Sequence, residues 1–124
     1  MNPTFTDAQL DEITGALKAL AHEVRLKLMR TLLEHGETSV GELETLTGIG
    51  QPGLSQQLAI LRKAGMVQTR RDAKLVFYSL APEALQDAAR LLCRLAGLAP
   101  QEERAGRGTQ SRARGSAATF ARIL

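Results

Sequence analysis

The chain has 124 residues, a formal net charge of +3 and an apolar fraction of 44%, with 3% aromatic residues and no tryptophan. This length suits one domain, whose core must be built from Leu, Ala, Val and Ile, and such a core favours helices. No apolar run reaches the ~18 residues of a membrane span, acidic residues near the start argue against a signal peptide, and the single cysteine excludes an intramolecular disulfide. A cytoplasmic protein is therefore expected.

Charge is segregated along the chain. Residues 1–100 carry as many acidic as basic residues, and the net excess comes from arginines beyond residue 100. Residues 34–47 contain several glutamates and no Lys or Arg, whereas residues 51–80 are basic, with Asp72 as their lone acid. This juxtaposition favours a polyanion as the partner, although two ordinary solvated faces would produce the same pattern.

Helical spacing of apolar residues predicts two helices, over about residues 7–20 and 22–35. The second is expected to end at Gly36, because glycine suits the position just after a helix. The apolar residues expected on the buried faces are Leu10, Ile13, Leu17 and Leu20 in the first helix and Leu28, Met29, Leu32 and Leu33 in the second.

Two shorter helices follow and are separated by glycines. Ser39 stands three residues before Glu42, which is the pattern of a capping box at the start of a third helix that ends before Gly48. A fourth helix is predicted from about Pro52 to Gly65, with leucines at helical spacing in "LSQQLAIL". Two short helices joined by a glycine-bearing turn form a helix-turn-helix pattern.

Beyond residue 65 the spacing changes to that of strands. The segments "MVQTR" and "LVFYSL" predict a β-hairpin whose turn is the polar stretch 71–74, and so small a hairpin must pack on the helices. Helical spacing with one apolar face returns over residues 82–98. From residue 99 the composition shifts to Gly, Ser and Arg, which predicts a flexible tail.

The exposed side of the fourth helix is predicted to be almost uncharged. At about 100° per residue its leucines share one side, and the opposite side carries Pro52, Ser55, Gln56, Ala59 and Lys63. Amide, hydroxyl and methyl groups suit the reading of base edges in the major groove, since glutamine can pair with adenine through two hydrogen bonds. The alternative is a surface helix that happens to be neutral.

Cations follow on the hairpin, where Arg70, Arg71 and Lys74 are expected near the level of a DNA backbone. Phosphate contacts supply affinity without sequence information. Base-reading amides and phosphate-binding cations are therefore expected on separate elements of one face.

The segment from "LKALAHEVRL" through "SVGEL" and "LSQQLAILRKAGMV" to "RRDAKLVFYSL" resembles the winged helix-turn-helix core of the ArsR/SmtB bacterial repressors, over about residues 17–98. The resemblance implies a mainly α fold with a small β-hairpin: four helices, of which the fourth is the recognition helix, a two-stranded wing and a fifth helix. Residues 1–98 would be the DNA-binding and dimerisation domain, and residues 99–124 the tail. The implied partners are double-stranded DNA and a second copy, joined through the first and last helices.

The same resemblance assigns site residues. The family's base-contacting positions fall on Gln51, Pro52, Ser55 and Gln56. The predicted phosphate contacts are Ser39, Lys63, Arg70, Arg71 and Lys74. The base-contacting set agrees with the helical projection.

The homodimer also has support in the residues themselves. Alanines and leucines share one face of the predicted last helix, and small side chains permit close approach of a second helix. A two-fold axis would then place two recognition helices on an inverted repeat.

Metal sites known in this family are missing from the sequence. Residues 38–43 lack the thiols of the arsenic-type site, and residues 82–98 contain no histidine for the zinc-type site at the dimer interface. His22 and His35 are expected near opposite ends of the second helix, too far apart to share a metal within one chain. No metal or cofactor is therefore expected.

The positions of cysteine bear on the signal to which the protein would respond. The stretch "SVGELETLTGIGQPGLSQQLAILR" most closely resembles the sulfide- and redox-responsive branch, which uses one cysteine in the second helix and one in the last. Arg30 stands at the first of these positions, so the lone Cys93 cannot form an intrachain dithiol. Cys93 is either an inert thiol in the core or a redox site of its own, and both readings stay open.

One other function class competes with DNA binding: a winged-helix module whose basic face binds an acidic protein. An enzyme is not expected, because no Ser/His/Asp, Cys/His or paired-carboxylate arrangement is found. The glycine-rich "GIGQPG" lacks both the preceding strand and the lysine of a phosphate-binding loop.

Overall fold

The computed structural model of the chain describes residues 5–98, so the predicted tail lies outside the described residues. The helices are α1 (Asp7–Leu20), α2 (Glu23–His35), α3 (Val40–Thr47), α4 (Gly53–Lys63) and α5 (Gln86–Leu95), and a 3-10 turn, Pro82–Leu85, precedes α5. The strands are β1 (Thr38–Ser39), β2 (Val67–Asp72) and β3 (Leu75–Leu80). This mainly α architecture with a small sheet confirms the predicted fold class. No helix within residues 5–98 is both long and apolar enough to cross a membrane.

Side chains cap the helices where the sequence leads us to expect it. Ser39 accepts a hydrogen bond from the backbone N–H of Glu42 at 3.2 Å, and the Glu42 carboxylate accepts from the Ser39 N–H at 3.1 Å. The predicted capping box of α3 is therefore present. His22 precedes α2 and accepts from the Val24 N–H through Nδ1, while His35 is the last residue of that helix. Both histidines thus lie at helix ends, as predicted.

The sheet has one more strand than the hairpin that the sequence predicts. Its order is β1-β3-β2, all antiparallel, with Thr38 opposite Tyr78 and Ser39 opposite Phe77. A two-residue strand is too short to show the alternation by which strands are recognised. The hairpin turn is also tighter than residues 71–74: Asp72 pairs with Leu75, which leaves a two-residue loop.

The core gathers leucines from the three middle helices. The large side chains that are less than 2% exposed are Leu28, Leu32, Leu43, Leu54, Leu58, Leu61 and Met66. The expected burial was wrong at Leu10 of α1, which is 40% exposed, and at Leu33 of α2, which is 71% exposed. Five positions after Leu28, the helix has turned about 140°, away from the face that Leu28 and Leu32 define.

The last part of the chain differs from the single helix predicted over residues 82–98. The chain divides into two compact units after Ala88, which is buried, and that division falls inside α5. In the second unit Leu92 is 49% exposed and Leu95 is 73% exposed. The proposal of one domain over residues 1–98 therefore stays a prediction.

Candidate nucleic-acid interface

The turn between α3 and α4 depends on a glycine. Gly48 follows α3 in the left-handed conformation, at φ 75° and ψ 6°, and its N–H donates to the Glu44 carbonyl at 2.9 Å. A side chain at this φ would be strained, so glycine is the residue that lets α3 end here. α4 then begins at Gly53, five residues after Gly48, and both helices contact α2. The resulting unit is the predicted helix-turn-helix.

The two sides of α4 differ as the helical projection predicts. Leu54, Leu58 and Leu61 are at most 1% exposed and hold the helix on the body of the domain. The exposed residues on the opposite side include Pro52, Ser55, Gln56, Ala59 and Lys63. We call these five residues the exposed strip. Lys63 lies in the last turn, where a cation is favourable next to the helix carboxyl end.

The start of α4 is capped by Gln51, a role that the sequence did not indicate. Pro52 occupies the cap position and offers no hydrogen-bonding side chain. The Gln51 Oε1 atom instead accepts from the Ser55 backbone N–H at 3.1 Å and from the Ser55 hydroxyl at 2.6 Å. One otherwise unpaired N–H of the first helical turn is thereby satisfied. A polar residue before a proline at the cap was the only available signal.

This cap fixes which polar groups Gln51 and Ser55 can offer to a ligand. A backbone N–H can only donate, so the atom of Gln51 that faces it must be the oxygen. The Gln51 amide NH2 is left as a donor, and the Ser55 hydroxyl, whose proton is used, is left as an acceptor. Gln56 differs, because its exposed side chain makes no hydrogen bond to residues 5–98 and keeps both donor and acceptor.

The cations of the hairpin fall into two groups. Arg71 near the end of β2 and Lys74 in the turn are exposed and form no ion pair within the described part of the chain. Arg70 is instead engaged with Glu37, which precedes β1: Nε and one terminal nitrogen each donate to a separate carboxylate oxygen at 2.9 Å. A bidentate pair of this kind is directional as well as attractive.

Arg70 reaches Glu37 across the central strand. Its guanidinium lies 4.8 Å from the centre of the Phe77 ring, and Phe77 is its direct neighbour on β3. The carboxylate of Asp72 is 3.7 Å from the same guanidinium. The hydrogen bond from Arg70 lowers the pKa of Glu37 below its ordinary value, and the partner carboxylate raises the pKa of Arg70. Arg70 is thus already paired, so a phosphate would have to compete with Glu37 for it.

Ser39 is in a different position from the other predicted phosphate contacts. It is only 7% exposed, and its hydroxyl takes part in the capping box of α3. A phosphate that bound the Ser39 hydroxyl would compete with its hydrogen bonds to Glu42. The phosphate contact of Ser39 stays a prediction.

Comparison with known proteins identifies the family of the chain. The sequence pattern described as "Bacterial regulatory protein, arsR family" matches residues 22–69. The chain is 53% identical over 93 residues to the "Biofilm growth-associated repressor" of Agrobacterium fabrum, and the match covers 73% of this chain and 76% of that protein. This chain belongs to the ArsR family.

Other members of the ArsR family support the same fold. The "Biofilm growth-associated repressor" of Xylella fastidiosa is 55% identical over 74 residues, 60% of this chain, and the chain spans only 64% of that relative's length. The crystal structure of the transcriptional repressor BigR from Xylella fastidiosa matches with a TM-score of 0.59 and 49% identity, covering 72% of this chain and 90% of that one. HlyU from Vibrio cholerae matches with a TM-score of 0.62 and 40% identity, over 73% and 97%. The fold is therefore a winged helix-turn-helix, with β2 and β3 as the wing.

The residues that could respond to a redox signal or a metal ion lie as follows. Cys93 lies in α5, half-buried, with its carbonyl accepting from the Leu98 N–H at 2.8 Å. Arg30 lies exposed on α2. Residues 5–98 contain no group of three or more His, Cys, Asp or Glu side chains that could hold a metal ion.

Proposed function

We propose that the protein is a sequence-specific DNA-binding transcriptional repressor that acts as a homodimer on an inverted repeat. The observation that carries the proposal is the division of polar groups between α4 and the wing. Apart from Lys63, the exposed strip of α4 offers neutral groups, while Arg71 and Lys74, which form no ion pair within residues 5–98, stand on the neighbouring hairpin. Hydrogen-bonding groups discriminate between base edges, whereas cations bind phosphates of any sequence.

The hydrogen bonds of the exposed strip and of the preceding Gln51 make the proposal more specific. Gln56 keeps a donor and an acceptor side by side, which matches the N6 and N7 positions of adenine in the major groove. Gln51 has only its NH2 to offer and suits an acceptor such as O6 of guanine or O4 of thymine. Ser55 has only lone pairs to offer and suits the amino group of cytosine or adenine. We therefore expect an operator half-site in which these three base features are neighbours.

Different observations support the homodimer and the choice of repression over activation. Leu10 on α1 is 40% exposed, and α5 carries Leu92 and Leu95, which a second copy would cover. The relatives named repressors are 53% and 55% identical, above the 46% of the transcriptional activator HlyU of Vibrio cholerae, which favours repression. A repressor of this kind works in the cytoplasm, where bacterial DNA lies.

The experiment that tests the proposal is selection of bound duplexes from a random DNA pool, followed by titration of the enriched sequence and a shuffled control. We expect an inverted repeat with half-sites about one helical turn apart, and affinity that falls steeply as salt rises. Equal affinity for selected and shuffled duplexes would contradict sequence-specific recognition. Absence of all DNA binding at low salt, with capture by an acidic protein instead, would favour the protein-interaction module.

A further inference from the structure

Arg25 joins three helices through a single guanidinium group. It lies in the first turn of α2, and its Nε donates to the carbonyl of Ala19 in the last turn of α1. One terminal nitrogen lies 3.4 Å from the carbonyl of Lys18, also in that turn. The other donates to the Gln57 Oε1 atom of α4 at 2.9 Å. Arg25 and Gln57 are both half-buried.

Arg25 stands where an arginine is not expected from helix electrostatics. A cation in the first turn of a helix opposes the positive end of the helix dipole. The carboxyl end of α1 supplies the compensation, because the carbonyls of its last turn carry the negative end of the helix dipole and attract a cation; the Lys18 carbonyl also accepts from the Ala21 N–H at 3.3 Å. Only a planar fork with several donors can use these carbonyls and the Gln57 amide together, which a lysine cannot do.

Apolar packing selects which side of α4 faces the body of the domain. Leu54, Leu58 and Leu61 are at most 1% exposed and define that side, but the hydrophobic effect itself has no directional preference. The hydrogen bond from Arg25 to Gln57 is directional and tolerates only a narrow range of positions. Gln57 is the neighbour of Gln56, so the bond that holds one also sets the direction in which the other points.

We propose that Arg25 is a positioning residue that sets the rotation of the recognition helix and links that rotation to the end of α1. The inference deepens the proposed function, on which it rests. In this proposal Gln57 positions α4 through its hydrogen bond with Arg25 and does not contact a base, although it is next to Gln56. Loss of the link should impair discrimination between sequences, while phosphate binding by the wing, which tolerates small rotations, should persist.

The test uses the full chain and four variants: Gln57→Met, Gln57→Glu, Arg25→Lys, and Arg25→Lys combined with Gln57→Met. Gln57→Met keeps the size of the side chain but removes the acceptor, whereas Gln57→Glu keeps an acceptor for Arg25. The measurement is the ratio of Kd values for the selected duplex and a random duplex, with thermal unfolding recorded for each variant. A purely structural defect would weaken both affinities together and leave the ratio unchanged.

We expect Gln57→Met to lower the ratio by about fivefold to tenfold, the effect of one lost hydrogen bond, while binding to random DNA stays within about twofold. Gln57→Glu, which keeps the acceptor, should leave the ratio at its wild-type value. Arg25→Lys should resemble Gln57→Met, and the combined variant should be no worse than either single variant, because both remove the same link.

Two results would overturn the proposal. An unchanged ratio in Gln57→Met with a normal unfolding curve would show that the link does not position the exposed strip. Additive losses in the combined variant would show that Arg25 and Gln57 act independently. If the wild-type chain itself bound both duplexes equally, the proposed function would fail first, and that outcome is visible before any variant is made.

Discussion

The recognition helix and the wing are fixed to the domain in opposite ways. α4 is held by three leucines that are at most 1% exposed, and its outward side is almost uncharged. The wing carries its charges on the surface, and its side-chain attachment to the segment before α3 is the pair of Arg70 with Glu37, whose side chains are 52% and 39% exposed. Exposed ion pairs contribute little to stability, whereas buried leucines contribute several kcal/mol. The element that would read bases is therefore held by buried apolar side chains, whereas the side-chain link from Arg70 of the wing to Glu37 lies at the surface.

The largest expected effect separates burial from surface pairing. Leu58→Ala should lower the free energy of unfolding by about 2–5 kcal/mol, since it removes a fully buried side chain and leaves a cavity. Ile60→Ala in the same helix is the matched control, because Ile60 is 42% exposed, and it should cost much less. Urea denaturation measures both. Equal losses would mean that the two sides of α4 are not distinguished by burial.

The next effect concerns what the exposed strip reads. Gln56→Ala should lower the preference for the selected duplex over a random one by about 1–3 kcal/mol per lost base contact. Its affinity for random DNA should hardly change, because the amide carries no charge. Fluorescence anisotropy with both duplexes measures the two affinities. A wild-type preference in Gln56→Ala would remove Gln56 from the base-contacting set.

The third effect tests whether the wing cations are equivalent. Arg71→Ala should reduce the slope of log affinity against log salt by about 0.9, the value for one lost phosphate contact, and should weaken binding to all sequences alike. Arg70→Ala should change the slope less, because Glu37 already neutralises Arg70. Titrations at several salt concentrations give the slopes. Equal slopes for the two variants would show that Arg70 leaves Glu37 to bind phosphate.

Glu37→Gln gives the reverse test of the same pair, because it releases Arg70 for phosphate while keeping the size of the side chain. It should strengthen binding to random DNA and steepen the salt slope. The lowered pKa of Glu37 means that the pair is intact above the ordinary pKa of glutamate and is lost as pH falls through the lowered value. Measurements at neutral pH therefore compare a fully ionised Glu37 with its neutral replacement. Weaker binding by Glu37→Gln would show that the pair is needed to hold the wing in place.

Local patterns predicted the recognition helix better than the wing. The spacing of its leucines and the glycines around it lie within one short stretch, so its boundaries and both of its sides could be predicted. The ion pair of Arg70 joins residues 33 positions apart, and the link from Arg25 to Gln57 spans 32. Neither pair produces a periodic pattern in the sequence. Such contacts form only when distant elements pack together, so local patterns could not predict them.

The smallest expected effect lies in the loop of the wing. Ala73 has a φ of 57°, in the left-handed region that alanine adopts only at a cost, whereas asparagine tolerates it. Ala73→Asn should therefore raise the free energy of unfolding by up to about 1 kcal/mol, and Ala73→Val, with a branched side chain, should lower it. Thermal unfolding of the two variants, measured beside the wild-type chain, checks the direction of each change. DNA affinity should stay the same in Ala73→Asn, because the loop keeps its length and Lys74 keeps its position. A lower free energy of unfolding for Ala73→Asn would mean that the backbone conformation of Ala73 does not reduce the stability of the domain.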